Sequence, residues 1–324
     1  MKWRKQHKRV PVAAMSIGRL EPSSAGAELV AVSVGAAGEA GALWASAADA
    51  PQFHGRETGP GGASFPVDRL ARPLPVRATI HAPDLVQEIE IAGLSLTFPM
   101  VQPMPGGGFL IVAPRARRGQ DRTPPNAILY DAGGRPVGHG LFGDGIQHVL
   151  ATPSGAVWVG YFDEGVFGNY GWGSGDGTEP IGAPGLVRFT PQLEAEPDVF
   201  ELDIADCYAL NVDGEAAWSC YYTDFPLVEL RGTTVRSFGN TVQGAKAVAI
   251  RRDAVAFYGG YGDDADRLVV GRLADGYVQV DREYRVVRPD GGSMVGAEVV
   301  GRGPALHFFV GPDWYRLDPA ELLS

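Results

Sequence analysis

CYALNVDGEAAWSCYYTD, running from Cys207 to Asp224, reads as an apolar strand, a turn, a second strand rich in aromatics and an acidic loop. The same order of features returns in HVLATPSGAVWVGYFDEG (His148 to Gly165) and KAVAIRRDAVAFYGGYGDD (Lys246 to Asp264). A pattern recurring roughly every 40 to 50 residues, with four strand signals per copy, is the sequence signature of a β-propeller. Both alternating faces of the second strand are apolar, Val157 and Val159 on one and Trp158 on the other. Strands buried between neighbouring sheets have that composition.

Further copies flank these three. Phe98 to Gly138 supplies PMVQPM, GFLIVAP, NAILYD and a short RPVGHG, with Arg115 to Pro125 as an exposed loop. Ile146 to Leu202 continues with GLVRFT as third strand and DVFELD as fourth, and Ala27 to Gly93 forms a copy with an irregular insertion from Pro51 to Pro75. The last copy, Met294 to Leu317, shows only three strands, and Pro11 to Leu20 can provide the fourth. Closing a ring in this way removes exposed strand edges. The expectation is an all-β chain: a β-propeller of six four-stranded blades closed by an N-terminal strand, with residues 11–324 as one domain behind a basic flexible tail at 1–10.

Composition narrows the function classes. A formal charge of −10 opposes generic nucleic-acid binding, which needs a basic face for phosphates. Lys2, Arg4, Lys5, Lys8 and Arg9 crowd the first ten residues, and Lys246 is the only lysine beyond them. The apolar run after the basic start is short and broken by Gly18, Arg19 and Glu21, unlike a secretory signal. No stretch reaches the roughly 20 apolar residues of a membrane span. A soluble cytoplasmic protein follows, with Cys207 and Cys220 as buried thiols rather than a disulfide. Two cysteines without a histidine pair make no zinc pattern.

In this architecture the connections between blades and the loops after the second strands emerge around one channel mouth. Asp163, Asp224 and Asp263 open three of those loops. Each can cap its own turn, or the three can ring the mouth as ligands for a cation, calcium before zinc, or for a hydroxylated molecule. The loop from Asp163 to Gly185 is far longer than a blade connection needs and carries Glu164, Asn169, Tyr170 and Trp172 among many glycines. Aromatics beside carboxylates and an amide suit stacking and hydrogen bonding to a sugar, a peptide or another planar group. In alignment of the inner strands His148, Cys207 and Lys246 share one height, with Gln147 and Asp206 beside them and Met100 at the matching place in an earlier copy. His148, Asp206 and Lys246 are therefore the candidate acid/base set, conditional on a register that a one-residue slip reverses.

The strand-turn-strand units, with glycine near the turn and aromatics on the second strand, resemble the broad class of NHL, SMP30 and YncE-like bacterial propellers. The resemblance covers most of the chain and is architectural, so it implies the propeller fold; a lactonase-type set of metal ligands cannot be placed on this sequence. No nucleophile elbow, P-loop or dinucleotide fingerprint is present. The expected function is binding of a small molecule, sugar or protein at a channel mouth framed by residues 163–185. The alternative is a hydrolase or lyase acting on a sugar or lactone there, with or without a divalent cation.

Overall fold

Successive short runs of β-branched, aromatic and small residues, separated by glycine turns, pair locally into antiparallel sheets. In the computed structural model, which describes residues 9–119, 121–173 and 178–323, strands β1 (Val10–Ala13) and β2 (Met15–Arg19) come first. Unit one follows, with β3 (Ala27–Val34) and β4 (Ala40–Ser46), then β5 (Arg56–Thr58) and β6 (Ser64–Pro66) as a separate ribbon in the insertion, then β7 (Arg69–His81) and β8 (Leu85–Leu96). Unit two is β9 (Met100–Met104), β10 (Gly108–Val112), β11 (Ala127–Tyr130) and β12 (Pro136–Gly140). Unit three is β13 (Ile146–Ala151), β14 (Val157–Tyr161) and β15 (Leu186–Phe189), with the short helix α1 (Asp163–Phe167) after β14. Unit four is β16 (Asp206–Asp213), β17 (Ala216–Tyr222), β18 (Leu227–Arg231) and β19 (Thr234–Phe238); unit five is β20 (Ala247–Arg251), β21 (Ala254–Tyr258), β22 (Arg267–Ala274) and β23 (Tyr277–Val287). Unit six is β24 (Glu298–Arg302), β25 (Ala305–Val310) and β26 (Asp313–Leu317).

The result is an all-β, propeller-like arrangement. Strand β2 lies antiparallel on β26, Met15 opposite Arg316 and Arg19 opposite Asp313, so the N-terminal segment completes unit six. Strand β1 adds a fifth, parallel strand to β23 of unit five. Arg9, within the segment expected to be a flexible tail, bonds Asp264 at 2.5 Å and Glu283 at 3.0 Å, and β1 starts at Val10. Residues 1–8 lie outside the described residues.

Alternation along each strand sends apolar side chains to both faces, and every face is covered by the next unit. Val157, Val159 and Tyr161 pack on unit two, while Trp158 packs toward unit four beside Cys207 and Leu210. Six clusters result, one between each unit and the next; the sixth joins Val34, Ala42 and Trp44 of unit one to Phe309 and Trp314 of unit six. Burial of one large apolar side chain contributes about 1.5–3 kcal/mol, so these interfaces hold the units together, with units four and six also joined into one sheet by the parallel pairing of β16 with β24.

One expected strand is missing. DVFELD does not pair as the fourth strand of unit three, which ends at β15 apart from a single bridge between Phe189 and Ala195. Pro197 has no N–H to continue the ladder. Asp198 then accepts the Phe200 N–H at 3.0 Å, turning the chain away, and Glu201 follows in a left-handed conformation (φ 48°).

Candidate ligand site at the channel mouth

First-strand residues of units one, two, three, four and six, with Lys246 just before β20, line a cavity of about 420 Å³, and β16 and β24 pair directly in parallel, Asn211 opposite Gly301. Its far end is plugged by side chains that reach between strands. Gln102 on β9 donates to Val34 O of β3 at 3.0 Å and accepts from Ala151 N of β13 at 3.2 Å. Asn211 on β16 donates to Val248 O (2.7 Å) and Gly303 O (2.9 Å) and accepts from Gly303 N (2.8 Å). Arg302 on β24 donates to Ala151 O. All three side chains are buried, and buried amides are retained when fully bonded. Close approach at this end requires Gly301, where a Cβ would sit 2.1 Å from Val248 O.

The open end carries the polar groups. Gln147, His148, Lys246 and Glu298 line the wall beside Met100. Among the described residues the Lys246 ammonium makes no ion pair. Glu298, at the solvent-accessible start of β24, lines the cavity; desolvation there raises its pKa, and the charge of Lys246 opposes the rise. The His148 Nε2–H donates to Tyr208 O at 3.2 Å, and burial pushes the imidazole down to about 4 against a weaker upward pull from backbone acceptors. At neutral pH His148 is therefore an uncharged hydrogen-bonding group. Asp206, first residue of β16, sits beside the rim and not in the wall. Its carboxyl is pushed up to about 6 by burial and by the neighbouring charge of Asp163. Cys207 points into the sheet interface, 3.4 Å from Ser219 Oγ, and both cysteines are free and buried.

The long loop behaves differently from the sequence expectation of an open stacking surface. Trp172 is buried, and its indole N–H donates to Ala116 O at 2.7 Å. Tyr170 lies between the guanidiniums of Arg115 and Arg117, each 4.4 Å from its ring centre. Glu164 pairs with Arg115 at 2.5 Å and is also bonded to Asn169, whose Oδ1 accepts the Tyr170 N–H at 2.7 Å. Arg115, read in the sequence as part of an exposed loop, is enclosed and pairs with Asp144 at 2.9 Å. These side chains are spent on one another, binding residues 163–173 to the 115–117 segment. Residues 174–177 of the loop, including its acidic Asp176, lie outside the described residues.

The exposed rings lie elsewhere. Tyr222 and Tyr261 are about half exposed and flank Phe225 and Tyr208; the Tyr261 hydroxyl donates to the Tyr208 hydroxyl at 2.9 Å, and Tyr208 packs edge-on against Phe225 at 5.5 Å. Sequence reading missed this cluster because its rings come from two strands and two short loops of units four and five; the Tyr recurring at or just beyond the ends of β14, β17 and β21 (Tyr161, Tyr221 and Tyr222, Tyr258 and Tyr261) was the available signal. Asp163, Asp224 and Asp263 begin loops of three different units. Asp163 accepts the Glu164 N–H at 2.8 Å, and Asp224 occupies a left-handed turn (φ 65°). Among the described residues no three His, Cys, Asp or Glu side chains are grouped to hold a metal ion.

No protein-family model matches this chain. No curated protein matches it either. Similar solved structures include a catalytically inactive variant of virginiamycin B lyase from Staphylococcus aureus with quinupristin (12% identity, TM-score 0.40, 92% of this chain and 97% of that one). Others are luciferin-regenerating enzyme (11%, TM-score 0.43, 92% of each chain) and a chain of the mitotic checkpoint complex (8%, TM-score 0.46, 98% of this chain and 95% of that one). These likenesses are of overall shape and carry no functional argument. Among the described residues no helix is long and apolar enough to cross a membrane.

Proposed function

We propose that the six units are blades of one β-propeller closed by β2, and that the protein binds a small polar ligand in the channel mouth. Closure is supported by the interface between units six and one, which is built like the other five. The observation that carries the ligand reading is the unpaired Lys246 ammonium in the same wall as Glu298, in a channel plugged at its far end. An acidic group on the ligand meets Lys246, a hydroxyl or amine meets Glu298, and neutral His148 and Gln147 supply further hydrogen bonds. Tyr222 and Tyr261 offer ring faces at the entrance. A sugar acid or another hydroxylated small acid has this pattern of groups. Two buried free thiols suit a reducing, cytoplasmic setting.

The test is thermal unfolding with glucuronate, gluconate and uncharged glucose. A ligand at about 100 times its Kd adds roughly 2.7 kcal/mol. The acids raise the midpoint of the natural protein, glucose does so less, and Lys246→Met abolishes the difference. Equal response to acid and neutral sugar, or an unchanged response in Lys246→Met, overturns the reading.

The raised pKa of Asp206 favours one second reading, hydrolysis or elimination at the same mouth. A carboxyl titrating near 6 exchanges protons close to neutral pH, whereas His148 at about 4 is a weak base there. Any activity found on a sugar or lactone that survives Asp206→Asn and His148→Gln together removes this reading.

A further inference from the structure

Among the described residues unit three alone ends at its third strand, and a groove of about 490 Å³ runs along that edge toward unit four. Alternation on β15 fixes which backbone groups face outward. Gly185 O accepts from Tyr161 N at 2.9 Å, so residues 185, 187 and 189 bond to β14, and 186 and 188 point away. Arg188 O accepts from Glu196 N at 2.8 Å. Beyond that bond Pro197 leads the chain off, and among the described residues the Leu186 N–H, the Leu186 C=O and the Arg188 N–H have no hydrogen-bond partner. The groove therefore holds the row of backbone groups against which the absent fourth strand would pair.

Two more observations point to an occupant. The Trp158 indole N–H lines this groove, is buried (1% exposed) and has no partner. An orphaned buried donor is unfavourable, and an acceptor in the groove would satisfy it. The groove walls are also acidic. Glu196, Asp198 and Glu215 face a single cation, Arg188, which already pairs with Glu196 at 2.5 Å and Glu215 at 3.5 Å. Between them Val199 stands 53% exposed.

We propose that this groove receives an extended basic peptide segment of a partner protein as the fourth strand of unit three. Strand addition supplies main-chain hydrogen bonds to Leu186 and Arg188. Alternate side chains settle apolar groups over Trp158 and Leu186 and direct cations to the carboxylate rim. The site is separate from the channel mouth and stands independently of the ligand proposed there.

The experiment uses the full chain and two fluorescent octapeptides, alternating Lys–Val and alternating Glu–Val. The first places valines on one face and lysines on the other when extended. The Lys–Val peptide binds one-to-one by anisotropy and slows amide hydrogen exchange at residues 186–188. Val199→Arg, at an exposed position that leaves the fold intact, weakens binding at least tenfold. No binding of the Lys–Val peptide overturns the proposal. So does equal binding of the Glu–Val peptide, or binding without slowed exchange at 186–188, which would be diffuse attraction to an acidic surface.

Discussion

At the scale of single residues, His148 makes the clearest statement about pH. Its imidazole titrates near 4 in the folded chain against an ordinary 6.5. The unfolded chain thus takes up a proton that the folded one refuses, and stability from this residue is complete above pH 6.5 and is lost as pH falls toward 4. His307, lowered to about 3 by burial and by the charges of Arg316 and Arg302, acts in the same sense. Asp144 and Asp206, raised to about 6, oppose it, because the folded chain holds their protons more tightly as pH falls below 6. His148→Gln should flatten the acid limb, shrinking the loss between pH 7 and pH 4 by on the order of 2 kcal/mol, as read from urea midpoints across pH. An unchanged limb would show that His148 is solvated. Alignment of the inner strands placed His148, Cys207 and Lys246 at one height; His148 and Lys246 line the cavity, whereas Cys207 lies in the sheet interface. It could not find Glu298, whose copy is the most degenerate, nor foresee that Asp206 stands outside the wall, since direction at a strand's first residue depends on a bulge between Cys207 and Ala209.

At the scale of elements, the loop after β14 is a clamp. Trp172→Ala removes a buried ring and its bond to Ala116 and should destabilise by about 3 kcal/mol. Phe167→Ala, at a position 68% exposed, should cost under about 0.5 kcal/mol. Chemical denaturation of the two variants compares them directly, and equal small effects would mean that the loop is not anchored. The strands themselves were legible because each carries its own alternation and turn glycines. Length and aromatic content made the loop look like a ligand surface, and nothing local could reveal that Arg115, distant in sequence, occupies its rings. The missing fourth strand of unit three was misread for a similar reason. DVFELD alternates well, but Pro197 and the Asp198 turn decide its path before alternation can act.

At the scale of the whole molecule, six apolar interfaces of one kind join neighbouring units among the described residues. The joint between units six and one depends on β2, and Leu20 just beyond it is 1% exposed. Removing residues 1–20 strips β26 of its neighbour and should lower the thermal midpoint and produce concentration-dependent aggregation in light scattering. A truncated chain that stays monomeric with an unchanged midpoint would show that β2 is dispensable. The pairing of β2 with β26 also sets an order of events in the cell. The ribosome makes β2 before all the units that separate it from β26, so the early strand must wait, unpaired, until β26 emerges. Until that handshake the nascent protein keeps an open seam, and its exposure to chaperones and proteases lasts until β26 is made.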